Sequence, residues 1–379
     1  MTDDALPEPD RVEGAPHPRD TGRLIGQATA EAAFLDAHAG GRLHHAWLLT
    51  GPFGVGKATL AWRVARFLLA TKADDGEGGL FADAGPPPAP QSLDIDAGHP
   101  VARRIHAGAE PRLFLLRRAW DEDRKRLKTV ITVDEVRKLR SFLQLSAADG
   151  GHRVVIVDAA DEMNIAAANA LLKMLEEPPA GVTFLLVSHQ PSRLLPTIRS
   201  RCRALKLGTL ASSDLVEAMR QAGAELGDGE ALSALSGGSV GEAIRLVNLD
   251  GIETYAAIVD LIRSVPRLDR PRALKLAEAA ARRGAEERLD LLLSLIDLFL
   301  ARLARRGALG AAGSEAAPGE TELLARLAPD PVAGRRWAEL QQTLGARARH
   351  GRAVNLDPAT LILDVILKID ETARELVSA

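Results

Sequence analysis

Residues 46–62 read "AWLLTGPFGVGKATLAW". A short apolar run leads into Gly51, Gly54, Gly56 and Lys57, spaced as Gly-x-x-x-x-Gly-Lys, and then into "KATLAWRVARFLLA" with Leu60, Val64 and Leu68 on one helical stripe. Glycines at such places let successive backbone N–H groups turn toward phosphate oxygens, while the following helix points its positive end at the same spot. Lys57 adds a point charge for the outer phosphates. The competing reading is an ordinary Gly-rich turn between a strand and a helix.

The next position breaks the pattern. Ala58 stands where a Ser or Thr hydroxyl normally holds magnesium, and a methyl group cannot do so. Thr59 lies one step, about 100°, further around the helix and is no simple substitute. The expected contacts to a nucleotide are therefore Gly51, Gly54, Gly56, Lys57, Ala58 and Thr59, with ATP or ADP and magnesium held weakly or not at all.

Working outward, "RVVIVD" at 153–158 and "TFLLVS" at 183–188 are further apolar runs without alternation, and "LFLLRR" at 113–118 is a candidate fourth. Such runs mark parallel strands buried on both faces. Between them, "TVDE" from Thr132 has the form of a capping box, and residues 164–179 run from an Asn164 cap to a stop at Pro178 and Pro179. Alternating strands and helices predict an α/β domain. After about residue 208 only helical patterns remain, so the fold class is α/β plus all-α. The expected division is a disordered tail at 1–20, an α/β domain at 21–208 with a loop excursion at 71–100, a helical lid at 209–265 and a C-terminal helical block at 266–379. "GALGAAGSEAAPGE", 307–320, reads as a flexible connector.

Composition narrows the function. A net charge of -3 gives no global case for nucleic acid. The single cysteine, Cys202, excludes an internal disulfide framework and a multi-thiolate zinc site, and fits a reducing cytoplasm. The first twenty residues are polar and Pro-rich, unlike a secretory signal. "LDLLLSLIDLFLARLARR" is interrupted by Asp297 and Arg302, so it reads as a buried amphipathic helix and not a membrane span.

"VVIVDAADEMN" ends an apolar strand on Asp158, where a carboxylate could hold magnesium if a nucleotide binds. Ala159 follows where hydrolysing proteins of this class place a glutamate that polarises water. Asp161 and Glu162 lie beyond the strand end and read as a solvated start to the next element. Two groups needed for hydrolysis are thus missing while the cradle remains.

Residues 164–203, "NIAAANALLKMLEEPPAGVTFLLVSHQPSRLLPTIRSRCR", together with the upstream loop, resemble the clamp-loader branch of the AAA+ family, and within it the delta prime type more than the ATP-hydrolysing gamma/tau type. The resemblance covers about residues 20–250, "LIGQ" and "GRLHHAWLL" included. It implies an AAA+ P-loop domain, a lid and a collar domain in a hetero-pentamer with gamma/tau and delta subunits, loading a sliding clamp onto primed DNA as part of the polymerase holoenzyme. It places the magnesium aspartate on Asp158, a polar sensor at Ser188, and on Arg201 an arginine finger that serves a neighbouring subunit's ATP. A local ion pair is the competing reading of Arg201. Many relatives carry a four-cysteine zinc module in the excursion; this chain has no cysteine there, so no zinc is expected. No basic side chain follows Gly241 and Glu242 until Arg245, which leaves no sensor arginine at the usual place. The alternative function is an active gamma/tau-like ATPase, which needs Thr59 and Asp161 or Glu162 to replace the lost groups.

The stretch 117–129, with Arg117, Arg118, Arg124, Lys125, Arg126 and Lys128, could meet DNA phosphates, but Asp121, Glu122 and Asp123 favour a self-compensating face. His44, His45 and His189 have no metal-binding spacing.

Overall fold

The structure, a computed structural model, describes residues 7–41, 43–71, 90–145, 151–224, 227–282, 284, 286–311, 313–354 and 356–378. They divide into two compact units. The first runs to Gly223 and takes in Ser239–Gly241; the second holds Ala224–Gly238 and Glu242–Ala379.

In the first unit the order is α1 (Ala28–Ala39), β1 (Ala46–Thr50), α2 (Lys57–Thr71), α3 (Pro100–His106), β2 (Leu113–Arg117), β3 (Trp120–Asp121), β4 (Arg126–Leu127), α4 (Val133–Leu145), β5 (Arg153–Asp158), α5 (Ile165–Glu176), β6 (Val182–Ser188), α6 (Pro196–Arg199), β7 (Arg203–Lys206) and α7 (Ser212–Gln221). Five strands form a parallel sheet in the order β2-β5-β6-β1-β7. All four expected strands are present. The fifth, β7, escaped the sequence reading because "RALK" lies at the sheet edge and buries only Leu205. Helix α2 is buried nearly all round, with Leu60, Val64 and Leu68 fully enclosed. Its Arg63, only 4% exposed, is tolerated because it pairs with Glu31 at 2.7 Å and Asp94 at 2.8 Å and donates to the Gly22 carbonyl.

Several local expectations are met and others corrected. Asn164 caps α5, its Oδ1 accepting from the Ala167 amide at 2.8 Å. Thr132 precedes α4, yet its hydroxyl is buried with no partner among the described residues, so the capping box is not formed. Residues 7–20 are not a disordered tail: His17 is buried and an ion-pair network ties the segment to the domain. Residues 1–6, and the middle of the 71–100 excursion at 72–89, lie outside the described residues. The last part of that excursion is anchored, with Leu93 buried and Asp94 on Arg63. Helix α7 docks on the first unit, where Gln221 donates to the Arg23 carbonyl at 2.8 Å and Glu217 pairs with Arg23.

The second unit is helical: α8 (Gly229–Ser236), α9 (Val240–Asn248), whose first two residues belong to the first unit, α10 (Gly251–Arg263), α11 (Arg270–Ala280), α12 (Glu286–Leu309), α13 (Glu320–Leu327), α14 (Pro331–Ala353) and α15 (Pro358–Ser378). Helices α12 and α14 cross so closely at Gly307 and Gly334 that a Cβ on Gly307 would lie 2.5 Å from the Gly334 Cα. The 307–320 stretch is more than a flexible connector. Ala316 and Ala317 are buried, and Glu320, at 0% exposure, accepts from Tyr255 Oη, Arg302 and the Ala316 amide. Arg302, which interrupts the apolar stretch, is there to meet that carboxylate. No helix among the described residues is long and apolar enough to cross a membrane.

Candidate nucleotide site

Ligand crevices of open parallel sheets lie beyond the carboxyl ends of the strands. Here Thr50, which leads into the glycine loop, stands in register with Ser188 at the end of β6, and Arg117 at the end of β2 stands beside Asp158 at the end of β5. The sheet therefore gathers the loop, Asp158 and Ser188 at one end, as the sequence implied.

The loop has the backbone of a phosphate cradle. Gly51, Gly54 and Gly56 have φ of 148°, 71° and 99°, and a Cβ on Gly51 would lie 2.3 Å from the Leu207 carbonyl. Lys57 is 3% exposed and its ammonium donates to the Gly51 carbonyl at 2.8 Å and to that of Pro52. Burial lowers its pKa to about 8, against the opposing charges of Asp158 and Asp161. Burial raises Asp158 to about 7, helped by the nearby carboxylates of Asp10 and Glu162 and opposed by Lys57 and Arg117. Ser188 is fully buried and its Oγ has no partner among the described residues. A buried cation and an orphaned hydroxyl beside a glycine loop are groups that can donate to an anion, and the perturbed carboxylate marks the place as a candidate site. The residues fit a nucleotide's phosphates.

They fit its metal and its hydrolysis less well. Ala58 offers no oxygen. Asp161 is engaged by the chain itself, its two carboxylate oxygens each accepting at 3.1 Å from the backbone amides of His189 and Gln190. Glu162 pairs with Arg118 at 2.8 Å. Neither acid is a free replacement for the missing glutamate. His189, unremarkable in the sequence, lies against Phe53 of the loop with ring centroids 5.0 Å apart. Burial and the charge of Lys57 lower its pKa to about 4, so it is neutral at physiological pH. No sequence pattern announced this contact, because it depends on where β6 ends relative to the loop.

Arg201 lies just before β7. Its Nη2 is 2.8 Å from Glu176 Oε1 on α5 and its Nη1 donates to the Thr197 carbonyl at 3.0 Å, the local ion pair that competed with the finger reading. The neighbouring Cys202 thiol is raised to about 12 by burial, which keeps it protonated. Arg245 forms an ion pair with Glu242 at 3.1 Å. Within 117–129, β3 and β4 form a small antiparallel hairpin. Lys125 pairs with Glu122 within the stretch, but Arg117 pairs with Glu8 and Asp10 and Arg118 with Glu162, so the compensation comes in part from acids outside it and not from the interleaved ones alone.

Residues 26–211, the span that builds this crevice, match the sequence profile of the family described as DNA polymerase III, delta subunit. Over this span, just under half of the chain, it is similar to DNA polymerase III clamp-loader subunits. Among the relatives it matches, the DNA polymerase III subunit delta' of Pseudomonas aeruginosa is 38% identical over 232 residues, covering 60% of this chain and 63% of that protein. The DNA polymerase III subunit gamma of Buchnera aphidicola is 27% identical over 248 residues, 61% of this chain and 58% of the other. These alignments span about three fifths of each relative's length. A solved gamma subunit-related protein from Thermotoga maritima superposes with a TM-score of 0.40 at 16% identity, covering 90% of this chain and 99% of that one, too loose a likeness to bear on the site.

Proposed function

We propose that this chain is a clamp-loader subunit of the delta prime type, a non-hydrolysing stator that supplies Arg201 in trans to a neighbouring subunit's ATP. The observation that carries the reading is the cradle stripped of its hydrolytic groups. Ala58 and Ala159 replace the metal hydroxyl and the general base, and Asp161 and Glu162 are both engaged elsewhere. Magnesium, when bound with a nucleotide, would neutralise charge between the outer phosphates, and Asp158 is the residue here that would hold it. On this reading Lys57 and Ser188 bind and orient phosphate without activating water.

Arg201 fits the finger role by chemistry. A guanidinium stays charged at any working pH, and its planar fork can exchange the Glu176 carboxylate for phosphoryl oxygens. The Glu176 pair is half-exposed and therefore weak, so giving it up costs little. In the proposed assembly a hetero-pentamer with gamma/tau and delta subunits opens a sliding clamp and places it on primed DNA in the cytoplasm. Residues 209–265 serve as lid and 266–379 as collar.

The test is ATP turnover by the chain alone and by a reconstituted loader carrying wild type or Arg201→Ala. The expected outcome is no turnover alone and, in the complex, a drop of about a thousandfold at the one site the finger serves. Turnover by the isolated chain that is lost on Lys57→Ala would establish the gamma/tau-like ATPase instead.

A further inference from the structure

The open side of the glycine loop is not bare. The Gly54 carbonyl accepts from the Gly241 amide at 3.1 Å, so close that a Cβ on Gly54 would lie 2.9 Å from the Gly241 Cα. Outside that contact lies Val12, whose methyl group is 3.8 Å from where a Gly241 Cβ would stand. A Leu24 methyl covers Gly56, 2.6 Å from its would-be Cβ. Lys57, with these groups around it, has turned its ammonium back onto loop carbonyls.

Val12 belongs to a segment that the domain holds firmly. Arg117, beside Asp158 in the sheet, donates from Nη1 to Asp10 Oδ1 at 2.8 Å and from Nη2 to Glu8 Oε1 at 3.0 Å. His17 stands edge-on to Trp62 of α2 at 5.5 Å. Its Nδ1 accepts from the Arg19 amide at 3.0 Å, which leaves Nε2 as the N–H that faces the carboxylates. That nitrogen is 3.2 Å from Asp10 Oδ2 and 3.4 Å from Glu8 Oε2. Arg19 adds a fork onto Glu8, at 3.2 and 3.3 Å, and Arg66 of α2 donates to the Arg19 carbonyl. Two carboxylates are thereby fixed at the end of β2, beside Asp158 at the end of β5. They occupy the Arg117 guanidinium, which is then not free to meet an anionic ligand, and Val12 stands over the Gly241 that contacts the loop.

We propose that residues 8–17 are a built-in plug for the glycine loop, latched by Glu8 and Asp10 on Arg117 and His17, which a nucleotide must displace before it can bind. This rests on reading 51–57 as a phosphate cradle. It adds a cause for weak nucleotide binding separate from the missing hydroxyl: an apparent affinity is reduced by the fraction of molecules in the open state.

The experiment is equilibrium binding of a fluorescent ADP analogue, with magnesium, to the full chain as wild type and as Asp10→Ala/Val12→Gly. The expected result is binding at least roughly tenfold tighter in the variant. Equal affinity in the two proteins, or no binding by either, would overturn the plug. Should the double variant fail to fold by circular dichroism, Asp10→Asn, which keeps the shape and removes the charge, is titrated in the same way and judged by the same outcomes. A negative result leaves the finger reading untouched, since the Arg201 experiment reads turnover at another subunit's site.

Discussion

Each unit holds a buried charged hub, around Glu320 and around Lys57, and the two are satisfied to opposite degrees. Around Glu320 in the second unit every group is matched: Tyr255 Oη at 2.5 Å, Arg302 Nε at 2.6 Å and Nη2 at 3.1 Å, and the Ala316 amide at 2.7 Å fill the carboxylate. Around Lys57 in the first unit the Ser188 hydroxyl is orphaned, Asp158 is raised to about 7 and Lys57 lowered to about 8. A saturated hub holds a fold together, whereas an unsaturated one is held for something that is to come.

Breaking the saturated hub should have the largest effect. Glu320→Ala leaves Arg302, 13% exposed, without its partner and is expected to cost about 3–5 kcal/mol, read as a lower denaturant midpoint. If stability changed by less than about 1 kcal/mol, the hub would not be structural in the sense drawn here.

The unsaturated hub should reveal itself through pH. Asp158 has a folded pKa near 7 against 3.8 for the free group, so between those values the folded chain holds a proton that the unfolded chain has lost, and stability falls as pH rises through that window. Lys57 has a folded pKa near 8 against 10.5, so stability rises again between pH 8 and 10.5, where the unfolded chain holds the extra proton. Together they place a minimum between pH 7 and 8. Asp158→Asn should abolish the acid-side fall, worth up to about 4 kcal/mol at about 1.36 kcal/mol per unit. Denaturant melts at pH 4.5, 7.5 and 9.5 (about the two windows) would show it. An unchanged difference between pH 4.5 and 7.5 in the variant would place the titration elsewhere.

A smaller change is expected at Asp161. Asp161→Ala removes acceptors from the His189 and Gln190 amides and should cost about 1–3 kcal/mol. A water-activating role would instead leave stability intact and remove turnover. The smallest effect belongs to the exposed pair: Arg201→Ala should shift stability by less than about 1 kcal/mol, so its effect in an assembled loader can be read as function.

Much of the first unit was legible along the chain. Buried parallel strands are continuous apolar runs, and three of them, with the glycine loop between β1 and α2, follow from local composition. The Glu8, Asp10, His17 and Arg117 cluster was not legible: Glu8 and Arg117 are 109 residues apart, and polar, Pro-rich sequence ordinarily means a tail. The engagement of Asp161 was equally hidden, because the amides it accepts from come 28 and 29 residues later, at the end of β6. Glu320 reads as one acid among many until Tyr255 and Arg302 arrive from other helices.

By itself, then, the amino-acid order determined that positions 58 and 159 carry no side-chain oxygen. Ala58 and Ala159 lack oxygen wherever they are placed, and no fold can restore it. Only the tertiary structure decided what the remaining charged groups do. Whether Asp161 is a base or a cap, whether Arg117 faces DNA or Asp10, and whether the glycine loop is open or covered all depend on distances of a few ångströms between segments far apart in the chain. Hydrogen bonds and ion pairs act over no greater range.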